Sequence, residues 1–334
     1  MKYDYSFKES LLSLTPITQE TYLALDKGDD STAEELNSIP SLKIIPTIWD
    51  MSLKKGLVLS VETNKALTGL RADHGEDENA WGIYLQADEV LHEDDYELLK
   101  NDLEKAQAQG CDAISFRYLH FWQTHHHLVI SKKWYPQEIR AIKLKTSIES
   151  WGDAQGFRNY SKVYNSEARI FHYGHVREQN SYNEKMRDMG KFYHSAEVLE
   201  EKLSAGLKDS KKNRCVFYFG THPSVMKDRI LRMGDIWQLD EREEVFIVGN
   251  PNLYSTKLKE SIAAKKINWC KNAGEVPKEK RSEMVLTNPS LLDYFFRITS
   301  VPKKMKSKSA RLWSTDFRFI LQVSEKRFGF RSIR

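Results

Sequence analysis

A chain of 334 residues with 40 % hydrophobic content is long enough for one large or two modest domains with a real core, and it holds no apolar run that would span a bilayer. Three scattered cysteines, Cys111, Cys215 and Cys270, offer neither a disulfide framework nor metal-knuckle spacing, which predicts buried thiols in a reducing compartment. The net charge of +4 hides an asymmetry: from residue 255 onward 19 Lys or Arg stand against 7 Asp or Glu, leaving an acidic body and a basic tail.

The opening MKYDYSFKES lacks the basic flank and apolar core of a secretion signal, so the sequence reads as cytoplasmic. Phe7 to Leu14 is predicted as a short helix packing Phe7, Leu11 and Leu14 and stopped by Pro16. A strand over 21–25, a loop with Lys27, Gly28, Asp29 and Asp30, a helix over 33–39, a strand over 42–48 and a helix over 57–70 follow. This alternation is the pattern of a parallel sheet.

Residues 81–93, WGIYLQADEVLHE, are the stretch around which the rest is arranged. Trp81, Ile83, Leu85 and Ala87 alternate with Gly82, Tyr84, Gln86 and Asp88 in the period of a strand, and the acidic pair Asp88 and Glu89 closes it. Carboxylates at the carboxyl end of such a strand sit where open α/β sheets bind ligands and are suited to a hard divalent cation. A helix over 96–108 follows, with Leu98, Leu99, Leu103 and Ala106 on its apolar face and Gly110 as its stop.

An aromatic strand over 113–122 leads to His120, His125, His126 and His127. Three consecutive histidines diverge in direction on any regular element, so a closed zinc site is not expected there; a solvated or substrate-facing loop is. WYPQEIRAIK (134–143), SWGDAQGFRNY (150–160) and ARIFHYGHVR (168–177) come next, the second with glycines where backbone turns sharply or approaches a ligand. Residues 182–207 are helical in pattern, CVFYFGTHPSVM reads as strand, turn and helix start, and beyond about residue 240 periodicity is weak.

The ordered set Gln86-Ala87-Asp88-Glu89-Val90, Glu138-Ile139-Arg140, Gly152 to Arg158 and His172-Tyr173-Gly174 resembles the nucleotide-sugar-dependent glycosyltransferases of family 2, over roughly residues 5 to 240. The resemblance implies a GT-A-like α/β fold: a mixed, mostly parallel sheet flanked by helices, with a catalytic core over 1–180, a helical extension over 181–240 and a basic region over 241–334 in an α-rich C-terminal extension. It implies an inverting, metal-dependent hexosyltransferase that uses a nucleotide-sugar, a UDP-sugar first, and a glycan or lipid-linked acceptor in polysaccharide biosynthesis. Asp88 is similar to the last aspartate of the metal-binding DXD motif, holding the donor diphosphate through Mn²⁺ or Mg²⁺, and His172 completes the metal shell. Gln86 stands where many relatives have the first aspartate. Asp30 and Thr32 resemble a nucleoside-contacting D-x-T, and Asn64 an asparagine of the donor-site helix. Arg140 and Arg158 are candidates for the pyrophosphate or an anionic acceptor.

Inverting transfer needs a base on the acceptor hydroxyl, for which Asp153 and Glu138 are the candidates. Asp153 is preferred because Gly152 and Gly156 expose it, whereas Glu138 lies two residues before Arg140 and could pair with it. One departure from the family is the absence of its first central strand: either the start is truncated or the chain has lost that strand, and both neighbours are then expected to expose unpaired edges. A non-catalytic sugar- or partner-binding relative is the alternative reading. The basic tail, with Lys303, Lys304, Lys306, Lys308 and Arg311, suits peripheral contact with an anionic membrane face; its aromatics are not interleaved as in RNA-binding modules, so no nucleic acid is expected.

Overall fold

A computed structural model of the chain describes residues 3–26, 32–129, 134–193, 198–199, 215–218, 221–234, 245–248, 267–270, 275, 277 and 285–286. Asp30 and the lysine-rich stretch after residue 302 lie outside the described residues. Two compact units emerge: residues 1–120, 135–211 and 223–226 form one, and 121–134, 212–222 and 227–334 the other.

The first unit is a mixed α/β structure. Helix α1 (Phe7–Leu14) precedes strand β1 (Thr21–Asp26), helix α2 (Thr32–Leu36), strand β2 (Leu42–Thr47) and helix α3 (Leu57–His74). Strands β1 and β2 pair in parallel as a sheet of their own, in register from Thr21 opposite Leu42 to Asp26 opposite Thr47. The predicted alternation is thus present, but its parallel pairing stops there.

The chain then forms β3 (Trp81–Ile83), β4 (Glu89–Leu91), α4 (Tyr96–Ala108), β5 (Ala113–Trp122), β7 (Gln137–Lys143), the hairpin β8 (Glu149–Trp151) and β9 (Gly156–Arg158), β10 (Val163–His175) and α5 (Gln179–Gly190); β6 (Thr124–Val129) lies in the second unit. The main sheet of the first unit runs β3-β7-β5-β10-β4. Its pairings β3/β7, β7/β5 and β10/β4 are antiparallel, which corrects the expectation of a mostly parallel sheet. The stretch predicted as one strand breaks after Ile83 and resumes at Glu89, so residues 84–88 form a bend instead of a strand end.

Helix α4 buries Leu99 and Ala106 against Ile114, Phe116, Ala168 and Ile170 of the sheet, with Leu98 and Leu103 partly buried beside them. Gly110, at φ +66°, takes the left-handed conformation that ends such a helix, as predicted. A second cluster sets Leu67 of α3 against Ala113, Ile139, Ile142 and Phe157. Helix α1 ties to the bend through Ser10 Oγ, which donates to Gln86 O at 3.1 Å, and to β4 through Ser13 Oγ, which accepts from Leu91 N at 3.2 Å.

Strand edges are open among the described residues. Strand β1 pairs only with β2 and β3 only with β7. Leu144 N donates to Ala80 O and Tyr84 N to Arg140 O, so by the two-residue period of a strand Trp81 and Ile83 turn their main-chain groups away from β7.

In the second unit, β6 pairs antiparallel with residues 121–122 of β5 and with β11 (Cys215–Phe217). His125 is fully buried on β6, its ring 5.9 Å from that of His222, which also meets Phe121. The histidine run is therefore strand, and His125 is a core residue instead of part of a solvated loop. Helix α6 (Lys227–Arg232) follows, and β12 (Val245–Val248) pairs in parallel with β13 (Ile267–Cys270) and β14 (Val285–Leu286). These three strands are described after residue 240; most of the region expected to be α-rich lies outside the described residues.

A candidate active site around Asp88

A cleft of about 1080 Å³ in the first unit is lined by Gln86, Asp88, Asp153, His172, His175 and Lys185, among others. Asp88 ends the bend and Glu89 opens β4, and their side chains meet different partners. Glu89 goes inward. Arg140 Nε and Nη2 donate to its two oxygens at 2.9 Å each, and Tyr118 Oη donates to Oε1 at 2.7 Å. Both ions are at 0 % exposure.

Arg140 reaches Glu89 because a bulge in the β5/β7 ladder opposite Ile114 and Ser115 leaves it out of register, which turns its side chain off the face of Glu138. Its Nη1 donates to Ile139 O and, at 2.6 Å, to Gln155 O. Fully enclosed, Arg140 is a structural ion and no pyrophosphate ligand. Glu138 instead accepts from Gln155 Nε2 at 2.7 Å and does not line the cleft.

Asp88 faces the other way, pinned by its carbonyl accepting from Tyr173 N at 2.8 Å. Lys185 Nζ, from α5, donates to Asp88 Oδ2 at 3.1 Å and to Gly174 O at 3.0 Å. Arg177 Nη2 lies 3.8 Å from the same oxygen and donates to Gly174 O, while Nη1 donates to Tyr3 O. The Tyr5 ring covers both cations, at 4.7 Å from Lys185 Nζ and 4.6 Å from the Arg177 guanidinium carbon. Burial opposes ionisation of Asp88, yet the Lys185 and Arg177 cations hold its carboxyl well below the usual range; burial likewise draws the Lys185 ammonium down against the pull of Asp88.

His120 Nε2 lies 2.7 Å from Tyr135 O and so carries its proton; its Nδ1, 2.9 Å from His172 Nδ1, accepts from that ring. His172 Nε2 is then the unprotonated nitrogen, 3.7 Å from Asp88 Oδ1. Burial lowers the pKa of His172 and, more strongly, of His175, which keeps both rings neutral.

Gly174 closes this group. A Cβ there would stand 2.6 Å from His172 Nε2 and 2.8 Å from Asp88 Oδ2, closer than real side chains approach. Gly174→Ala is therefore expected to displace both and lower the melting temperature by several degrees, from on the order of 1–3 kcal/mol of overpacking; a thermal melt checks it, and an unchanged melt with unchanged ligand affinity would contradict the geometry.

Asp153 reaches the cleft from the β8/β9 turn, where Gly152 and Ala154 adopt φ of +62° and +60°. The turn is fixed to α3 by Ser60 Oγ donating to Gly152 O at 2.8 Å and by Asn64, whose amide exchanges two hydrogen bonds of 2.9 Å with the Ser150 main chain. Asn64 is thus a strut of the hairpin and does not line the cleft. Asp153 is half-buried and accepts from Tyr193 Oη at 3.5 Å. Gln86 Nε2 donates to Ala154 O at 3.1 Å, which joins the bend to the same turn. Arg158, exposed on β9, pairs with Glu149 away from the cleft, and Thr32 opens α2.

No family model matches the chain, and no curated protein does. The site has to be judged on its own chemistry.

That chemistry does not suit a divalent cation. Asp88 Oδ1 and His172 Nε2 face each other, but the carboxylate already meets two cations, Glu89 is consumed by Arg140, and Gln86 is turned to Ala154. Among the described residues no group of three or more His, Cys, Asp or Glu side chains is arranged to hold a metal. Two more positive charges beside a buried pair of cations would be repelled. Lys185, Arg177 and Tyr5 were missed from sequence because nothing local marks them; Lys185 reads as one more charge on a charged helix face.

Proposed function

We propose that this chain is an inverting glycosyltransferase with a GT-A-like core, moving a sugar from a nucleotide-sugar, first of all a UDP-sugar, to a hydroxyl of a glycan or lipid-linked acceptor. The observation that carries the reading is convergence. Gln86 to Asp88, Asp153 to Gln155 and His172 come from three distant segments and line one cleft. These segments hold the residues on which the resemblance rests, and the two carboxylates have different surroundings: Asp88 is sealed between cations, and Asp153 is half-buried with one long hydrogen bond.

Asp153 is the base of this proposal. Its carboxylate takes the proton of the acceptor hydroxyl as that oxygen attacks the anomeric carbon and the nucleoside diphosphate leaves from the opposite face. Glu138, held by Gln155 outside the cleft, supports the turn.

The test is turnover of UDP-, GDP- and dTDP-sugars with a panel of glycan and lipid-linked acceptors, reading released nucleoside diphosphate and the anomeric configuration of the product. Asp153→Asn should lower turnover by about 10²–10⁴-fold with donor affinity little changed, and Glu138→Gln by much less. The opposite ranking would move the role to Glu138. Donor or glycan binding without turnover under any condition would replace transfer by sugar binding.

A further inference from the structure

Resting on the transferase reading, we infer that the donor's diphosphate is met by Lys185, a cation built into the protein at the place where the resemblance puts a metal ion. The argument starts from charge. Three ionised side chains, Asp88, Arg177 and Lys185, form the group, and Arg177, at 1 % side-chain exposure, is enclosed behind Asp88 with hydrogen bonds to Tyr3 O and Gly174 O. One carboxylate thus stands against two cations. The buried Arg177 balances Asp88, and the surplus positive charge falls on Lys185, the only one of the two cations that lines the cleft.

Its neighbours add no negative charge. Tyr5, whose ring covers both cations, is held neutral because burial pushes its hydroxyl pKa up, and burial keeps His172 and His175 uncharged. Neither Lys185 nor Arg177 pairs with a second carboxylate among the described residues. A surplus ammonium at 14 % exposure, in a largely dehydrated wall, is stabilised by an incoming anion far more than an exposed lysine would be.

The ammonium can also move toward a ligand without stranding its partner. Lys185 donates to Asp88 Oδ2 and Gly174 O, and when Nζ turns toward a phosphate oxygen, Arg177 remains beside the same Asp88 oxygen. The flexible lysine stem permits that swing; a guanidinium clamped by two carbonyls does not. As the glycosidic bond breaks, its electron pair goes to the diphosphate oxygen, and Lys185 stabilises the charge that develops there.

The metal-bridging role implied for Asp88 and the role inferred for Lys185 predict opposite results. The probes are inorganic pyrophosphate and UDP, titrated calorimetrically into the full chain with EDTA or with Mn²⁺. Wild type should bind both in EDTA, with Mn²⁺ changing affinity less than about tenfold, the equivalent of 1.4 kcal/mol. Lys185→Met should weaken pyrophosphate at least about tenfold in both conditions, and Lys185→Arg should restore part of the loss. Asp88→Asn should leave pyrophosphate binding intact or tighten it, since it removes a competing anion.

Asp88→Asn leaves two buried cations without a counter-ion, so its fold is checked by thermal melt, and the double variant Asp88→Asn/Lys185→Met serves where the single one unfolds. Binding that needs Mn²⁺, or that survives Lys185→Met, overturns the inference while leaving sugar transfer standing. Pyrophosphate binding through Lys185 with no turnover of any nucleotide-sugar leaves an anion site and removes the transferase reading.

Discussion

Arg140→Met is expected to lower the unfolding free energy by about 3–5 kcal/mol, and Glu89→Leu to do the same, because each leaves the opposite charge buried without its partner. Both side chains are at 0 % exposure and joined by two hydrogen bonds, with a third from Tyr118 to Glu89. The double replacement should recover most of the loss, since the pair's attraction is set against the cost of removing two ions from water. Urea unfolding of the two single variants and the double gives the coupling directly. Single losses below about 1 kcal/mol, the range of exposed pairs, would contradict the enclosed geometry. The effect should reach the cleft as well, because Arg140 also holds Gln155 O at 2.6 Å, two residues after Asp153.

This pair explains where sequence reasoning stopped. Helix α1, strand β5 and helix α4 were legible because their apolar residues recur at helical or strand spacing over enough residues, and the observed bounds of all three match those predicted. The sheet's pairing was not. Strands β3 and β4 are short pieces on either side of a bend, and alternation of strands with helices does not tell whether a long strand such as β10 returns antiparallel.

The same limit governs the site. Asp88, Asp153 and His172 were placed by motif and do line one cleft, but a motif carries no partners. Arg140 finds Glu89 51 residues away through a bulge, and Lys185 finds Asp88 across 97 residues through the packing of α5. Glu138 and Arg140, two residues apart, do not pair with each other: Glu138 accepts from the Gln155 side chain, while Arg140 is bonded to Glu89 and to the Gln155 main chain.

Fusing an apolar strand-forming segment of about six residues ahead of residue 1 is expected to raise the melting temperature by about 3–5 °C, from a gain on the order of 2 kcal/mol. The open edges of β1 and β3 line the same cleft, whose walls include Leu11 and Leu14 of α1 and Leu59, Leu67 and Leu70 of α3. A strand seated there would bond main chain on both sides and be covered by a helix on each face, which calls for a continuous apolar run instead of an alternating one. Each fully buried Val, Leu or Ile contributes about 1.5–3 kcal/mol, against roughly 1.5 kcal/mol per residue of ordering, so burial offsets ordering at the low end and exceeds it above that. Tyr5 lines the cleft as well, so a segment leading into α1 enters beside it. The same segment with two central residues changed to proline cannot complete the ladder and should lose the gain. A melt that does not rise, or rises equally with the proline version, would mean that the two edges do not share a strand-wide slot.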